Sequence, residues 1–363
     1  MARRRRSSLW SGALQRAIGS MTRSSLRAGS KALKQAMRDP LVVSDALSRS
    51  GLSPPSSLSS LRARRRGLAG CVAGLALGAG GARRYYLYKP PALSLTERLP
   101  LLVMLHGCGQ DADRFALSSR MNRIAARERF MVLYPEQDRL ANAQRCWNWF
   151  ETRSRRAQTE AAILLAAVDQ ACLLYPVDRS RIALAGMSAG AGMAALLATL
   201  HPARFRAVVM HSGVPPGTAD SAATAMQAMR GQRPAPTPPA SPGPISWPPL
   251  LVIQGSIDGV VASSNGAAAA QLWASAAGAT ARAPRQLQRG ARYAMTVTDF
   301  KAGACLAATL CEVHGLGHAW SGGAAGERFS DARGPDASRM VWTFAARSFA
   351  AATASASAKS DIL

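Results

Sequence analysis

The chain is short of acid. Twenty Asp and Glu stand against 45 Lys and Arg in 363 residues, a formal net charge of +25. The shortage is uneven: residues 1–84 hold 17 Lys or Arg and only two acids, Asp39 and Asp45, so the excess is concentrated in a leader. Six cysteines include no C-x-x-C pair, which excludes the usual spacing of zinc sites and of thioredoxin-like redox centres. No apolar run follows Arg3 to Arg6, so that stretch does not read as an ordinary secretory signal. The run Gly67 to Gly81, after Arg64-Arg65-Arg66, imitates one but is too short to span a bilayer. It reads as the first strand and turn of the folded domain, with an internal export signal as the alternative. Only five histidines are present, so candidates for a general base are few.

What is present is a globular body. Hydrophobic residues make up 48%, enough for a sizeable core. Residues 1–66 read as a basic, low-complexity leader, partly disordered, with a basic amphipathic helix over Trp10 to Met37 and a Ser/Pro-rich break at Ser53 to Ser60. Such a helix could meet an anionic membrane or polymer-granule surface, or contact nucleic acid. From about Ala82 the pattern alternates. Arg84 to Tyr88, Leu99 to Leu105, Phe130 to Tyr134, Arg181 to Ala185, Phe205 to Met210 and Leu250 to Ile253 read as strands. Ser118 to Arg129, Thr159 to Leu174, Ala191 to Leu200 and Asp336 to Phe349 read as helices. This alternation predicts a doubly wound, mostly parallel sheet with helices on both faces, an α/β domain over 82–350. A proline-rich excursion between Pro215 and Pro249 (about 215–249) is a surface insertion, and 351–363 is an Ala/Ser tail.

The pentapeptide Gly186-Met187-Ser188-Ala189-Gly190 lies between the strand and the helix that a nucleophile elbow requires. Glycines on both sides of Ser188 permit the tight turn and close strand–helix approach. A serine hydroxyl needs a base to take its proton, and the base needs an acid to fix its tautomer. In α/β-hydrolases these follow in the order Ser, Asp or Glu, His, each at the carboxyl end of a strand. Asp258 follows the strand Leu250 to Ile253, and His318 lies in the glycine-flanked run Gly315 to Gly323. Among rival bases, His106 and His211 sit at strand ends, His201 precedes a proline, and His314 is four residues before His318. Asp299 and Asp331 are alternative acids, neither directly after a clean apolar strand. Oxyanion donors are expected from the backbone N–H of Ala189 and, in the turn His106-Gly107-Cys108-Gly109-Gln110, from that of Cys108. No metal or cofactor is needed for this chemistry.

His106 to Gln110, Cys146-Trp147-Asn148-Trp149-Phe150, the Ser188 elbow and Gly317-His318-Ala319-Trp320-Ser321-Gly322-Gly323 together resemble the poly(3-hydroxybutyrate) depolymerase-type esterases, a branch of the α/β-hydrolases. The resemblance covers roughly residues 82–350. It implies an α/β-hydrolase fold and a Ser188–His318–Asp258 carboxylesterase acting on short-chain hydroxyalkanoate polyester or oligomers. Feruloyl or acetyl esters of polysaccharide are the alternative, and a basic surface-binding protein with a non-catalytic hydrolase body is a second. An acyl-enzyme could also pass its acyl group to an alcohol. Many family members carry a linker and binding module, whereas this sequence runs into a short tail, so soluble oligomers, amorphous polymer or small esters are the expected substrates. The family implies an extracellular or periplasmic location, with the cytoplasm as the alternative; the oligomeric state stays open and no specific nucleic acid is expected. Trp147, Trp149 and Trp320 are expected to line the acyl groove or to sit in the core. The motif positions suggest a Cys108–Cys146 disulfide, and Cys305 and Cys311 could pair if the stretch between them forms a hairpin.

Overall fold

The computed structural model describes residues 66–360 except 79, 95, 235, 240 and 242, with side chains as far as 354. The leader up to residue 65, with its expected helix and Ser/Pro-rich break, falls outside the described residues. Eleven strands form one sheet: β1 (Cys71–Gly78), β2 (Gly81–Tyr88), β3 (Leu99–Leu105), β4 (Met131–Pro135), β5 (Val177–Met187), β6 (Ala207–His211), β7 (Leu250–Gly255), β8 (Thr280–Ala281), β9 (Arg285–Leu287), β10 (Met295–Ala302) and β11 (Cys305–Val313). Their spatial order is β1-β2-β4-β3-β5-β6-β7-β11-β10-β8, with β9 also on β10. The six strands from β4 to β11 in that order run parallel, and both margins are antiparallel. This is the α/β-hydrolase arrangement. The apolar run Gly67 to Gly81 enters the sheet as its edge strand, and Asp113 Oδ1 accepts the Gly67 and Leu68 N–H groups just before it.

Every residue of β3, β4, β6 and β7 is buried, as continuous apolar runs demand when both faces are covered. Alternate side chains enter opposite cores. Leu101, Val103 and Leu105 face α3 (Arg156–Leu174), α4 (Ala189–Leu200) and α6 (Ser264–Ala277), whereas Leu102 and Met104 face α1 (Ala112–Ser119), α2 (Met121–Glu128) and α7 (Ala337–Ser360). The expected helix over 118–129 is two, because Arg120 takes a left-handed conformation between α1 and α2. The excursion after Pro215 contains a short helix, α5 (Ala222–Met229), capped by Ser221 ahead of the prolines. The last helix continues through the Ala/Ser tail to Ser360. Cys305 and Cys311 do not pair: both lie on β11, whose hairpin partner is β10, and both are free thiols.

The topology also fixes where a site can form. The strand β3 lies between β4 and β5, so the connections leaving β3 and β5 diverge at their carboxyl ends, the crevice that open α/β sheets use for ligands.

Candidate active site

Ser188 sits between β5 and α4 with φ 55° and ψ −121°, a strained conformation for a non-glycine residue. The flanking glycines make it possible. A methyl group on Gly190 would collide with the Leu105 and His106 carbonyl oxygens, and one on Gly186 would collide with the Gly190 carbonyl. The turn leaving β3 lies against the serine, since a Cβ on Gly107 would come 3.4 Å from Ser188 Cβ.

Asp258 follows β7 and its side chain is wholly buried. Its Oδ1 accepts the Val260 and Val261 N–H groups at 2.9 Å each, and its Oδ2 receives His318 Nδ1 at 2.8 Å. Burial alone would raise this carboxyl. The bond from His318 and the two loop N–H groups outweigh that and hold it below the ordinary aspartate value. An ionised Asp258 makes Nδ1 of His318 the donor and leaves Nε2 as the basic nitrogen. The two loops are stitched together: Ile257 N donates to Leu316 O, Ser256 N to Val313 O, and Gly315 N to Ser256 Oγ.

His211 joins the serine to the histidine loop. Its carbonyl accepts the Ser188 N–H at 2.9 Å, and its Nε2 accepts the Ser321 N–H at 3.1 Å. Burial, and next the nearby His318, push its imidazole down to about 3, so it stays neutral. His106 is built alike. Its Nε2 accepts the Gln137 N–H at 3.1 Å, its Nδ1 donates to Gly107 O at 2.9 Å, and burial lowers it to about 4. The backbone N–H groups of Cys108 and Ala189 have no hydrogen-bond acceptor among the described residues. Cys108 is disulfide-bonded to Cys146.

The rivals stand elsewhere. His314 is exposed and bonds Thr296 Oγ1; Asp299 bonds Arg285 and Thr309; Asp331 bonds Tyr293 and Arg333. Among the described residues no three His, Cys, Asp or Glu side chains converge as metal ligands would. A groove of about 1360 Å³ opens at the opposite, amino-terminal edge of β6 and β7, beside α7, and none of Ser188, Asp258 and His318 borders it.

Residues 83–286 match the family described as Esterase PHB depolymerase, more than half of the chain. The chain belongs to that family. Among its curated relatives, a poly(3-hydroxyalkanoate) depolymerase C from Paucimonas lemoignei is 29% identical over 195 residues, covering 49% of this chain and 45% of the relative. A feruloyl esterase B from Neurospora crassa is 29% identical over 133 residues, covering 36% and 44%. The chain therefore spans less than half the length of either. An acetyl xylan esterase structure from Aspergillus awamori shares the fold, with a TM-score of 0.57 at 19% identity over 68% of this chain and 94% of that one.

The three tryptophans do not line an open groove in this family member. Trp147 and Trp320 are fully buried and Trp149 nearly so. Trp147 Nε1 donates to His106 O at 3.0 Å, Trp149 packs on Gly192 of α4, and Trp320 stacks on His211 while its Nε1 donates to Ser338 Oγ. Each indole ring fills a core gap, and the N–H groups of Trp147 and Trp320 each find one partner there. The supporting role of Gln137 was not visible in sequence. The one available signal was its place just after β4.

Proposed function

We propose that the protein is a serine carboxylesterase. Ser188 Oγ attacks the ester carbonyl, His318 takes its proton and returns it to the leaving alkoxide, and Asp258 keeps His318 in the Nδ1–H tautomer and stabilises its cation. The N–H groups of Cys108 and Ala189 receive the oxyanion; water, activated by His318, then releases the acyl group and restores Ser188. The observation that carries this reading is the 2.8 Å bond from His318 Nδ1 to a buried Asp258, across 60 residues of sequence, with the strained Ser188 tied to the same histidine loop through His211. As substrates we propose short-chain hydroxyalkanoate oligomers, supported by the family match and by the depolymerase relative. The Cys108–Cys146 disulfide supports a periplasmic or extracellular location, since such bonds persist in oxidising compartments.

The test compares wild type with Ser188→Ala on p-nitrophenyl butyrate, 3-hydroxybutyrate oligomers, a feruloyl ester and acetylated xylan. Wild type should prefer the oligomers, and Ser188→Ala should lose on the order of 10⁶-fold in kcat. Near-wild-type turnover by Ser188→Ala would refute the mechanism; preference for feruloyl or acetyl esters would refute the substrate assignment alone.

A further inference from the structure

Glu160 is a carboxylate in an unexpected place. It lies in the first half of α3, on the face packed against the sheet, and is only 4% exposed. A polar group there is costly unless its bonds are made. Glu160 makes three. Oε1 accepts Gln137 Nε2 at 2.8 Å and Asn148 Nδ2 at 2.7 Å, and Oε2 accepts the Asn148 backbone N–H at 2.9 Å. The buried Arg83 guanidinium stands 3.9 Å from Oε1 and 5.8 Å from the Trp147 ring centre.

All three donors belong to loops that hold the turn after β3, and the connections run on by three routes. Gln137 N donates to His106 Nε2, and His106 Nδ1 in turn donates to Gly107 O. Trp147, between two residues tied to this network, donates its Nε1 to His106 O. Cys146, whose carbonyl accepts Gln137 Nε2 at 2.9 Å, is joined through sulfur to Cys108. The carboxylate therefore lies where the supports of Gly107 and Cys108 meet.

We propose that Glu160 is a positioning residue that holds the Cys108 N–H in place to receive the oxyanion. This rests on the esterase reading above. Glu160 touches neither substrate nor Ser188; it acts through Gln137, Asn148 and the Cys146 segment. Preorganised donors contribute because they need not reorient as charge develops. A loosened turn should therefore weaken transition-state binding while leaving ground-state binding of the ester nearly unchanged.

Glu160→Gln keeps the size but sets an NH₂ group against the amide donors of Gln137 and Asn148. The double variant Glu160→Gln/Asn148→Asp restores an acceptor opposite it. Wild type and both variants are assayed on p-nitrophenyl butyrate, with inhibition by a trifluoromethyl ketone as a mimic of the tetrahedral adduct and circular dichroism melts to verify folding. In Glu160→Gln, kcat should fall roughly 10- to 100-fold with KM within about twofold, and ketone affinity should fall by a similar factor. The double variant should recover most of both. A merely structural role would lower the folded fraction and leave the ketone affinity of the folded protein intact. If Glu160→Gln fails to fold, the milder Gln137→Met should show the same paired loss of kcat and ketone affinity. A folded Glu160→Gln (or, in its place, Gln137→Met) with wild-type kcat, or a kcat loss without ketone loss, overturns the proposal. Inactive wild type would refute the esterase reading and this inference with it, whereas active wild type with an unimpaired variant refutes only the role of Glu160.

Discussion

Breaking the Cys108–Cys146 disulfide should lower both stability and turnover. The bond joins residues 38 apart in sequence. Chain-entropy arguments for a loop of that size give about 4 kcal/mol of stabilisation, an upper value where the denatured chain keeps residual structure. At about 2 °C per kcal/mol for a domain of this size, the melting temperature should drop by about 8 °C. Catalysis is affected separately, because Cys108 carries a proposed oxyanion donor whose complete loss would cost about 2.7–4 kcal/mol. Complete loss is not expected: Gly107 N still donates to Gln110 Oε1 and Gly109 N to Gln144 O. A kcat decrease of about 10-fold, with KM little changed, is the expected fraction.

The assay is clean because Cys71, Cys172, Cys305 and Cys311 are free, so a mild reductant has one described bond to open. Cys305 is exposed, whereas burial pushes the Cys71 and Cys311 thiols up to about 12, so native thiol labelling should mark Cys305 first and gain two sites after reduction. Cys108→Ser/Cys146→Ser serves as the permanent counterpart. A double variant that melts within about 1 °C of wild type and turns over at the wild-type rate would refute the bracing argument.

Acid should destabilise the fold before it protonates Asp258. His106 and His211 are held neutral at about 4 and about 3, against 6.5 for an ordinary imidazole. Below pH 6.5 the unfolded chain therefore binds protons that the folded chain refuses; this contribution is whole above 6.5 and is lost as pH falls toward the folded values. Between pH 7 and pH 5 the loss is about 2 kcal/mol per histidine, read from urea unfolding at the two pH values; a flat profile would refute it. Gly190→Ala should cost about 3 kcal/mol or leave the protein insoluble, since its methyl meets backbone oxygens of β3, while Gly259→Ala, with open space around it, should stay within about 0.5 kcal/mol. Equal melting curves for the two variants would contradict the packing of the elbow.

The strands that were legible are those whose apolar residues run without interruption. Leu99–Leu105 and Leu250–Ile253 are buried on both faces, so composition alone marks them. The strand β10, Met295–Ala302, was not legible: Thr296, Thr298, Asp299 and Lys301 break its pattern, and pairing with β11 on one side and β8 and β9 on the other makes it a strand. Helix α1 carried a signal that went unread, Asp111 three residues before Arg114, whose N–H its side chain accepts. Glu160 shows the opposite limit. A lone acid in an apolar helix reads as solvent-facing, and only the loops arriving from Gln137 and Asn148 supply its partners.

The histidines show how the fold separates support from chemistry. His106 follows β3, His211 ends β6 and His318 lies in the loop after β11, at the carboxyl edge of one sheet. Two of them accept a backbone N–H through Nε2, His106 from Gln137 and His211 from Ser321, and burial keeps both neutral. A ring so used cannot take a proton without losing the loop it holds. His318 differs in its Nδ1 partner, a buried carboxylate whose charge is stabilised by two loop N–H groups. Protonating Nε2 there creates an ion pair, whereas protonating either of the others strands a cation in the core. The proposed base is thus distinguished by its partner more than by its place, since all three imidazoles lie at the carboxyl edge of the sheet and, of the three, His318 alone has a counter-charge waiting.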